Sequence, residues 1–311
     1  MKKTISAVIL IVVLCFSLLS GCILDELPET ESPPAAPFST NTGAPLKKPS
    51  PQNGDSVSPG LSGELTVSFI DVGQGDSAFI ELPDGKTMLI DAGVSEAADT
   101  ILRLIQEKGY KKIDYLIATH PHADHIGGMK KVIKNFDIGE IYMPKASNNT
   151  KTYEKLLEAI AERGIKIKTA KAGMKICEGI ELLAPNGASY EDLNNYSVVL
   201  RIVNGSHRFL FMGDAEILSE NEILNAGFDV RADVVKVGHH GSGTSSGNDF
   251  VSAVQAKYAV FSVGDDNSYN HPHIFVVEKW KKAGAQICRT DEMGTITFRS
   301  DGTALEMTAE K

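Results

Sequence analysis

The stretch "THPHADHIGG", Thr119–Gly128, follows the apolar run "IDYLIA" and sets three histidines and an aspartate within six residues. On an extended chain, residues two apart face the same way. His120 and His122, separated only by Pro121, can therefore reach one ion. Asp124 and His125 begin the helical segment "HIGGMKKVI" and turn toward a second position. Gly127 and Gly128 permit close backbone approach. Imidazole with carboxylate is a donor set for zinc, manganese or iron, and not for calcium.

Of eight histidines, seven fall in three groups, 120/122/125, 239/240 and 271/273, each behind an apolar strand-like run. Structural histidines scattered at random would not do this. His207, in "NGSHR", stands apart and is expected in a solvent-exposed turn.

Around these groups the chain reads as a layered α/β domain. "LTVSFI", "SAFIEL" and "TMLID" are short β-rich runs, the last two joined by the turn "PDGK". "DTILRLIQEKG" and "KTYEKLLEAIAERG" carry apolar residues at helical spacing. Strands "SVVLRIV", "RFLFMGD", "DVVKVGHH" and "KYAVFSVG" then alternate with helices from about Glu216, Asp249 and His273. Three short strands finish the chain. Sheet in the middle with helices outside is the expected arrangement, and such sheets place ligands at strand ends. The polar motifs fall there.

Lys2 and Lys3 precede the apolar run Ile5–Leu19, which ends in "LSGC". A charged start, a short apolar core and small residues at the break describe an export signal. The run is short for a spanning helix. The ending resembles the lipobox of bacterial lipoprotein precursors, which implies a signal over 1–21 and a lipidated Cys22 anchoring the chain outside the cytoplasm. Residues 22–63, rich in Pro, Ser, Thr and Gly, read as a disordered tether, and 64–311 as the domain. Cys15 lies in the signal. Cys177 and Cys288 either pair, as exported proteins permit, or stay buried thiols. No C-x-x-C occurs, so no thiolate zinc site is indicated.

With 31 Lys+Arg against 40 Asp+Glu, the formal charge is −9. That argues against nucleic-acid binding through a broad basic surface. The lysines of "MKKVIKN" and "EKWKKAG" read as solvated helix faces.

"THPHADHIGG" resembles the metal-binding motif of the metallo-β-lactamase superfamily, whose fold is a four-layered αββα sandwich. "FIDVGQGDSAFIELPDGKTMLIDAG", "NNYSVVLRI", "FLFMGDAE", "VVKVGHHGSGTS" and "SVGDDNSYNHPH" narrow the resemblance to the extracellular hydrolase domain of ComEC-type competence proteins. It spans Glu64 to about Phe298, without the channel-forming segments of that family. The resemblance implies two divalent metal ions, zinc or manganese. His120 and His122 would bind the first, Asp124 and His125 the second, and Asp214 would bridge them. Alone, Asp214 would read as the cap of the following helix. His239 is expected to complete the second position, leaving His240 for substrate or the leaving-group proton; the reverse assignment stands beside it.

The superfamily's usual third histidine for the first metal is missing, and Asn194 or Asn195 in "NNYS" is expected to offer an amide oxygen instead. This softens the case for zinc over manganese and does not suit β-lactam hydrolysis. His271 and His273 would contact phosphate or supply a proton, unless one caps a helix. Asp91, Asp71 and Asp76 would orient ligand imidazoles. The resemblance implies a phosphodiester substrate, DNA in the first instance. Similar "GHHGS" segments in choline-phosphate esterases make a phosphorylated envelope polymer the rival. A surface protein that binds DNA or polymer with little chemistry is the third reading.

Overall fold

The computed structural model describes residues 60–311. The expected signal peptide, the lipidated Cys22 and the tether up to residue 59 lie outside the described residues. At the domain's start, Leu61 bonds through its N–H to Val203 O and through its carbonyl to Gly205 N. Leu61, ahead of the expected Glu64, is thus already bonded to the strand Leu200–Asn204 and the turn after it.

Among the described residues, fifteen strands form two sheets. The chain lays down β1 (Leu65–Phe69), β2 (Ala78–Glu81), β3 (Thr87–Ile90), β4 (Lys112–Ile117), β5 (Asp137–Met143) and β6 (Ile167–Thr169). It then forms β7 (Lys175–Cys177), β8 (Ile180–Leu182), β9 (Leu200–Asn204), β10 (His207–Phe211), β11 (Val234–Lys236), β12 (Tyr258–Phe261) and β13 (Gln286–Arg289). β14 (Ile296–Ser300) and β15 (Leu305–Ala309) return to the first sheet, whose order is β15-β14-β1-β2-β3-β4-β5-β6. The second sheet runs β13-β12-β11-β10-β9-β8-β7. β1 to β3 pair antiparallel and β3 to β6 parallel; β7 to β10 pair antiparallel and β10 to β13 parallel.

The sheets pack face to face. Alternate residues Val67, Phe69, Phe209 and Phe211 point into the layer between them. Phe69 stacks on Phe211 with ring centroids 5.6 Å apart and meets Phe298 edge-on at 6.0 Å. Each such ring, fully buried, contributes about 1.5–3 kcal/mol. The opposite parity packs outward. Phe79, Leu89 and Leu116 meet Ile101 and Ile105 of α1 (Ala98–Glu107), Val132 of α3 (Met129–Asn135) and Leu156 and Ile160 of α4 (Lys151–Glu162). Between α1 and α3 lies the one-turn α2 (Ala123–Ile126). Leu210, Val235 and Ala259 meet Ile223 of α5 (Ile217–Asn225), Phe250 of α6 (Asn248–Val254) and Trp280 of α7 (Ile274–Lys282). This is the four-layered αββα sandwich that the motifs implied.

His207 corrects an expectation. It opens β10, is buried, and its Nδ1 lies 2.8 Å from Ser300 Oγ. The turn is confined to Gly205–Ser206. His207 shares parity with Phe209 and Phe211, so the pleat carries it inward. It sits at the opposite end of β10 from Asp214, away from the other histidines. Cys177 and Cys288 are both free thiols.

Candidate metal centre

Most groups that converge on the centre leave the C-terminal end of a parallel-paired strand, where such sheets open crevices; Asn194 and Asp76 come instead from the segments before β9 and β2. Asp91 follows β3, Thr119 to His125 follow β4, Asp214 follows β10, His239 and His240 follow β11, and His271 follows β12. Two tight approaches lock the first loop. A side chain on Gly128 would meet Ala92 O at 2.3 Å, and one on Gly75 would meet Asp124 O at 2.4 Å. The "GQG" of the 71–76 loop thus lets that loop close over the ligand turn, where Asp76 N donates to Asp124 O.

Two donor sets share Asp214. Asp124, His125, Asp214 and His240 have ligand atoms all within 4.8 Å of one another, as do His120, His122 and Asp214. His125 Nε2 and His240 Nε2 lie 3.2 and 3.5 Å from Asp214 Oδ1, whereas His120 Nε2 lies 3.7 Å from Asp214 Oδ2. The two oxygens of one carboxylate therefore face different sets. His125 Nε2, His240 Nε2, Asp214 Oδ1 and Asn194 Oδ1 are all buried without a hydrogen-bond partner. Three orphaned atoms within one ligand set, with Asn194 Oδ1 in the same cleft lining, are costly unless something binds them. A pair of divalent cations fits this donor set.

The structure places His239 and His240 the other way round from the expectation. They are not strand residues, because β11 ends at Lys236. Both sit in left-handed backbone, at φ 49° and 52°, a strained conformation concentrated at functional sites. The bend carries His240 into the second donor set. His239 is 22% exposed at the cleft; its Nε2 is 3.7 Å from Asp214 Oδ2 and its Nδ1 3.2 Å from Thr244 Oγ1.

Behind the ligands stand polar partners. Asp91, itself at φ 57°, accepts from Thr119 N at 2.8 Å and Thr119 Oγ1 at 2.6 Å and lies 2.8 Å from His125 Nδ1. His240 Nδ1 is 2.8 Å from Ser262 O and 3.3 Å from Asp76 Oδ1. These contacts fix which imidazole nitrogen points at the centre. Asp71 does not join them. Its side chain accepts from Gly73 N and lies 3.5 Å from Lys311 Nζ, tying down the loop and no histidine.

Lys236 was not anticipated, although a lysine inside the apolar run "DVVKV" was a visible anomaly. It is buried, pairs with Asp76, donates to Gly213 O at 3.0 Å and lies 3.9 Å from Asp214 Oδ1. Ser197 was also missed: its Oγ accepts from Asp214 N at 3.0 Å.

Charge is balanced within the cluster. Burial favours the neutral carboxyl at Asp214, yet His125 and His240 outweigh it and hold the group well below the usual range. Burial likewise opposes the charged form of Asp124, and His125 and His240 again prevail. His240 loses proton affinity by burial but gains more from Asp214 and Asp76, which push it up to about 10. His120 is held well below its ordinary value by burial and by His125, whereas at His125 burial is outweighed by Asp214 and Asp124, which raise it. A cation would take the place of the protons on His125 and His240.

The set opens into a cleft of ≈ 330 Å³ lined by Gln74, His122, Asp124, Asn194, His239, Tyr269 and His271, among others. Asn194 reaches the cleft while Asn195 turns away, its Nδ2 donating to Glu216 at 2.9 Å. His271 lines the cleft, pushed down to about 4 by burial and by His240 and His239. His273 does not line it. Its Nδ1 accepts from Gly243 N at 2.8 Å, and it stands at the N-cap of α7 with no side-chain cap bond. Its expected part in the chemistry gives way to holding the 241–247 loop.

The sequence model of the metallo-β-lactamase superfamily matches residues 70–265, and the chain belongs to that superfamily. It is 34% identical over 263 residues to ComE operon protein 3 of Bacillus subtilis (strain 168), covering 78% of this chain and 34% of that protein. With Competence protein ComA of Neisseria gonorrhoeae it shares 31% identity over 241 residues, 76% of this chain and 32% of that one. The chain thus spans about a third of the length of these relatives. Among solved structures, CmlA, a diiron β-hydroxylase from Streptomyces venezuelae, is similar with a TM-score of 0.50 at 16% identity. That match covers 74% of this chain and 53% of that one, a likeness of fold alone.

Proposed function

We propose that the chain is a metal-dependent phosphodiesterase acting on DNA outside the cytoplasm, tethered to a membrane through lipidated Cys22. The observation that carries the reaction class is Asp214, whose two oxygens face two donor sets on the floor of one open cleft. DNA as substrate is supported by the relatives named for competence, and the anchor by the "LSGC" ending of the first apolar run.

Two divalent cations, zinc or manganese, would supply Lewis acidity and lower the pKa of an attacking water. His120, His122 and Asn194 would hold one, and Asp124, His125 and His240 the other. Asp124 is the most exposed carboxylate of the set, at 29%. Held ionised, it orients the attacking water as an acceptor. His271, kept neutral, retains an N–H for a phosphoryl oxygen. His239, at the rim and braced by Thr244, passes a proton to the leaving oxygen.

The test assays the protein on a generic phosphodiester and on DNA after loading with Mn²⁺ or Zn²⁺, beside metal analysis. We expect turnover that chelation abolishes and Asp124→Asn reduces by at least a hundredfold, about 3 kcal/mol. Undiminished turnover in Asp124→Asn would sink the mechanism, and a protein that binds metal and DNA without cutting would be a binding module. For the anchor, Cys22→Ser should release the protein from the membrane fraction; continued retention there would refute it.

A further inference from the structure

Among the described residues, six large apolar side chains are exposed: Ile167, Ile217, Leu218, Tyr269, Ile274 and Phe275. Ile167 lies on an edge strand. The two aromatic ones, Tyr269 at 63% exposure and Phe275 at 56%, flank His271, which lines the metal cleft, and His273 beside it. Each lies nearly parallel to an imidazole. Tyr269 stacks on His271 with centroids 5.7 Å apart and planes at 22°, and Phe275 on His273 at 5.5 Å and 17°. The imidazoles meet edge-on at 5.1 Å, so the four rings form one ladder that starts at the cleft with Tyr269 and His271.

Fold stability does not explain the exposed rings. Tyr269 makes no hydrogen bond through its hydroxyl among the described residues. The loop beneath it is clamped by Asn267, whose Nδ2 donates to Gly264 O and His271 O while its Oδ1 accepts from His271 N. Phe275 rests its ring edge on Gly243, where an added Cβ would lie 2.6 Å from Cζ. Both rings are therefore held in place with much of their surface left to solvent. Exposed aromatic surface beside a cleft that would take a phosphodiester on its metals is the arrangement that single-stranded nucleic acids use, with bases stacked on rings and phosphates neutralised nearby. A duplex keeps its bases stacked inside and would not offer these faces.

We infer that Tyr269 and Phe275 are base-stacking platforms for a single-stranded nucleic acid whose phosphodiester lies in the metal cleft. This rests on the phosphodiester reading of the same site and extends it to the form of the strand. Tyr269, which lines the cleft, serves the base next to the reacting linkage, and Phe275 a base further along.

The test measures binding of the full chain to a labelled oligothymidylate and to an abasic phosphodiester strand of equal length. It is run in EDTA and again with Ca²⁺ in place of the activating ion. Wild-type protein should prefer the base-bearing strand by about tenfold or more. Tyr269→Ala and Phe275→Ala should each shrink that ratio about fivefold or more, and Tyr269→Phe should restore it. A wild-type ratio near one overturns the inference, as does a ratio that neither alanine changes. Equal loss of both strands in Tyr269→Ala also overturns it, since that is damage to the cleft. So does loss of binding to anionic phospholipid vesicles in these variants with oligonucleotide binding intact, which makes the rim a membrane contact. Turnover of the generic phosphodiester is read in parallel. Base-dependent binding without turnover leaves the platforms standing and refutes the hydrolase reading; turnover without base preference does the reverse.

Discussion

The two halves of the metal centre are built to different standards. In the second position, His125 and His240 are each backed by a carboxylate, Asp91 at 2.8 Å and Asp76 at 3.3 Å, and Lys236 is paired with Asp76. In the first, His120 Nδ1 meets only hydroxyls, Thr119 Oγ1 at 3.1 Å and Ser197 Oγ at 3.4 Å, and the further polar group on the cleft lining is the neutral amide of Asn194. A carboxylate behind an imidazole raises its basicity and fixes its orientation; a hydroxyl does so weakly. The second position should therefore hold its ion more tightly, and the first should fill last and exchange first.

Removing the shared ligand breaks the comparison at its root. Asp214→Ala should cut bound metal from two ions per chain to less than one and lower turnover by about a thousandfold, about 4 kcal/mol. Metal analysis after dialysis, beside a circular dichroism melt, reads this. Retention of two ions by the folded variant would show that the two sets do not depend on Asp214 in common.

Asp91→Asn touches one half only. The amide oxygen can still accept from Thr119, but it carries no charge toward His125. Metal titration should show the tighter step weakened by about 10–100-fold, with the weaker step unmoved. If the weaker step shifts instead, the ranking of the two positions is wrong.

What could be read in the sequence follows chain distance. The division cuts across the two positions: His120, His122, Asp124 and His125 lie within six residues after one strand, so spacing and period alone placed them. The rest of the site is assembled from strands far apart in the chain. Asp214 and Asn194 were reached only through resemblance. The order of His239 and His240 depended on two left-handed residues, which strand alternation cannot anticipate. Asp71 was misplaced because "DVGQGD" offers two aspartates, and only the close approach at Gly75 decides which one faces inward. His207 was misread for want of one residue of register. β5 to β8 went unseen: three of them are only three residues long, and β5 alternates weakly until its last residues. The layered fold was legible because period-two apolar runs and amphipathic helices declare which faces are buried.

The smallest expected effect sharpens the comparison from the weakly legible part. The loop carrying His239 and His240 continues to Ser246 and Gly247, whose N–H groups donate to buried Glu220 at 2.6 and 2.7 Å. Lys279 Nζ and Trp280 Nε1 donate to Ser246 from α7. Burial pushes the Glu220 carboxyl up to about 7, against the pull of the two N–H groups and Lys279 and with a push from Glu216. The unfolded chain releases this proton near the ordinary carboxyl value and the folded chain only near 7. Between those limits the folded state binds more protons, so stability falls as pH rises through the window and stays lower above it. The full difference is about 3 kcal/mol, part of which the loop's own adjustment recovers. Glu220→Gln does not titrate. Its thermal midpoint should be lower than wild type at pH 5, where one backbone donor loses its acceptor, and the gap should narrow by pH 8. Parallel midpoint curves from pH 5 to 8 would show that Glu220 does not change charge in this range. The loop holding His240 would then owe its shape to Lys279, Trp280 and the left-handed bend alone.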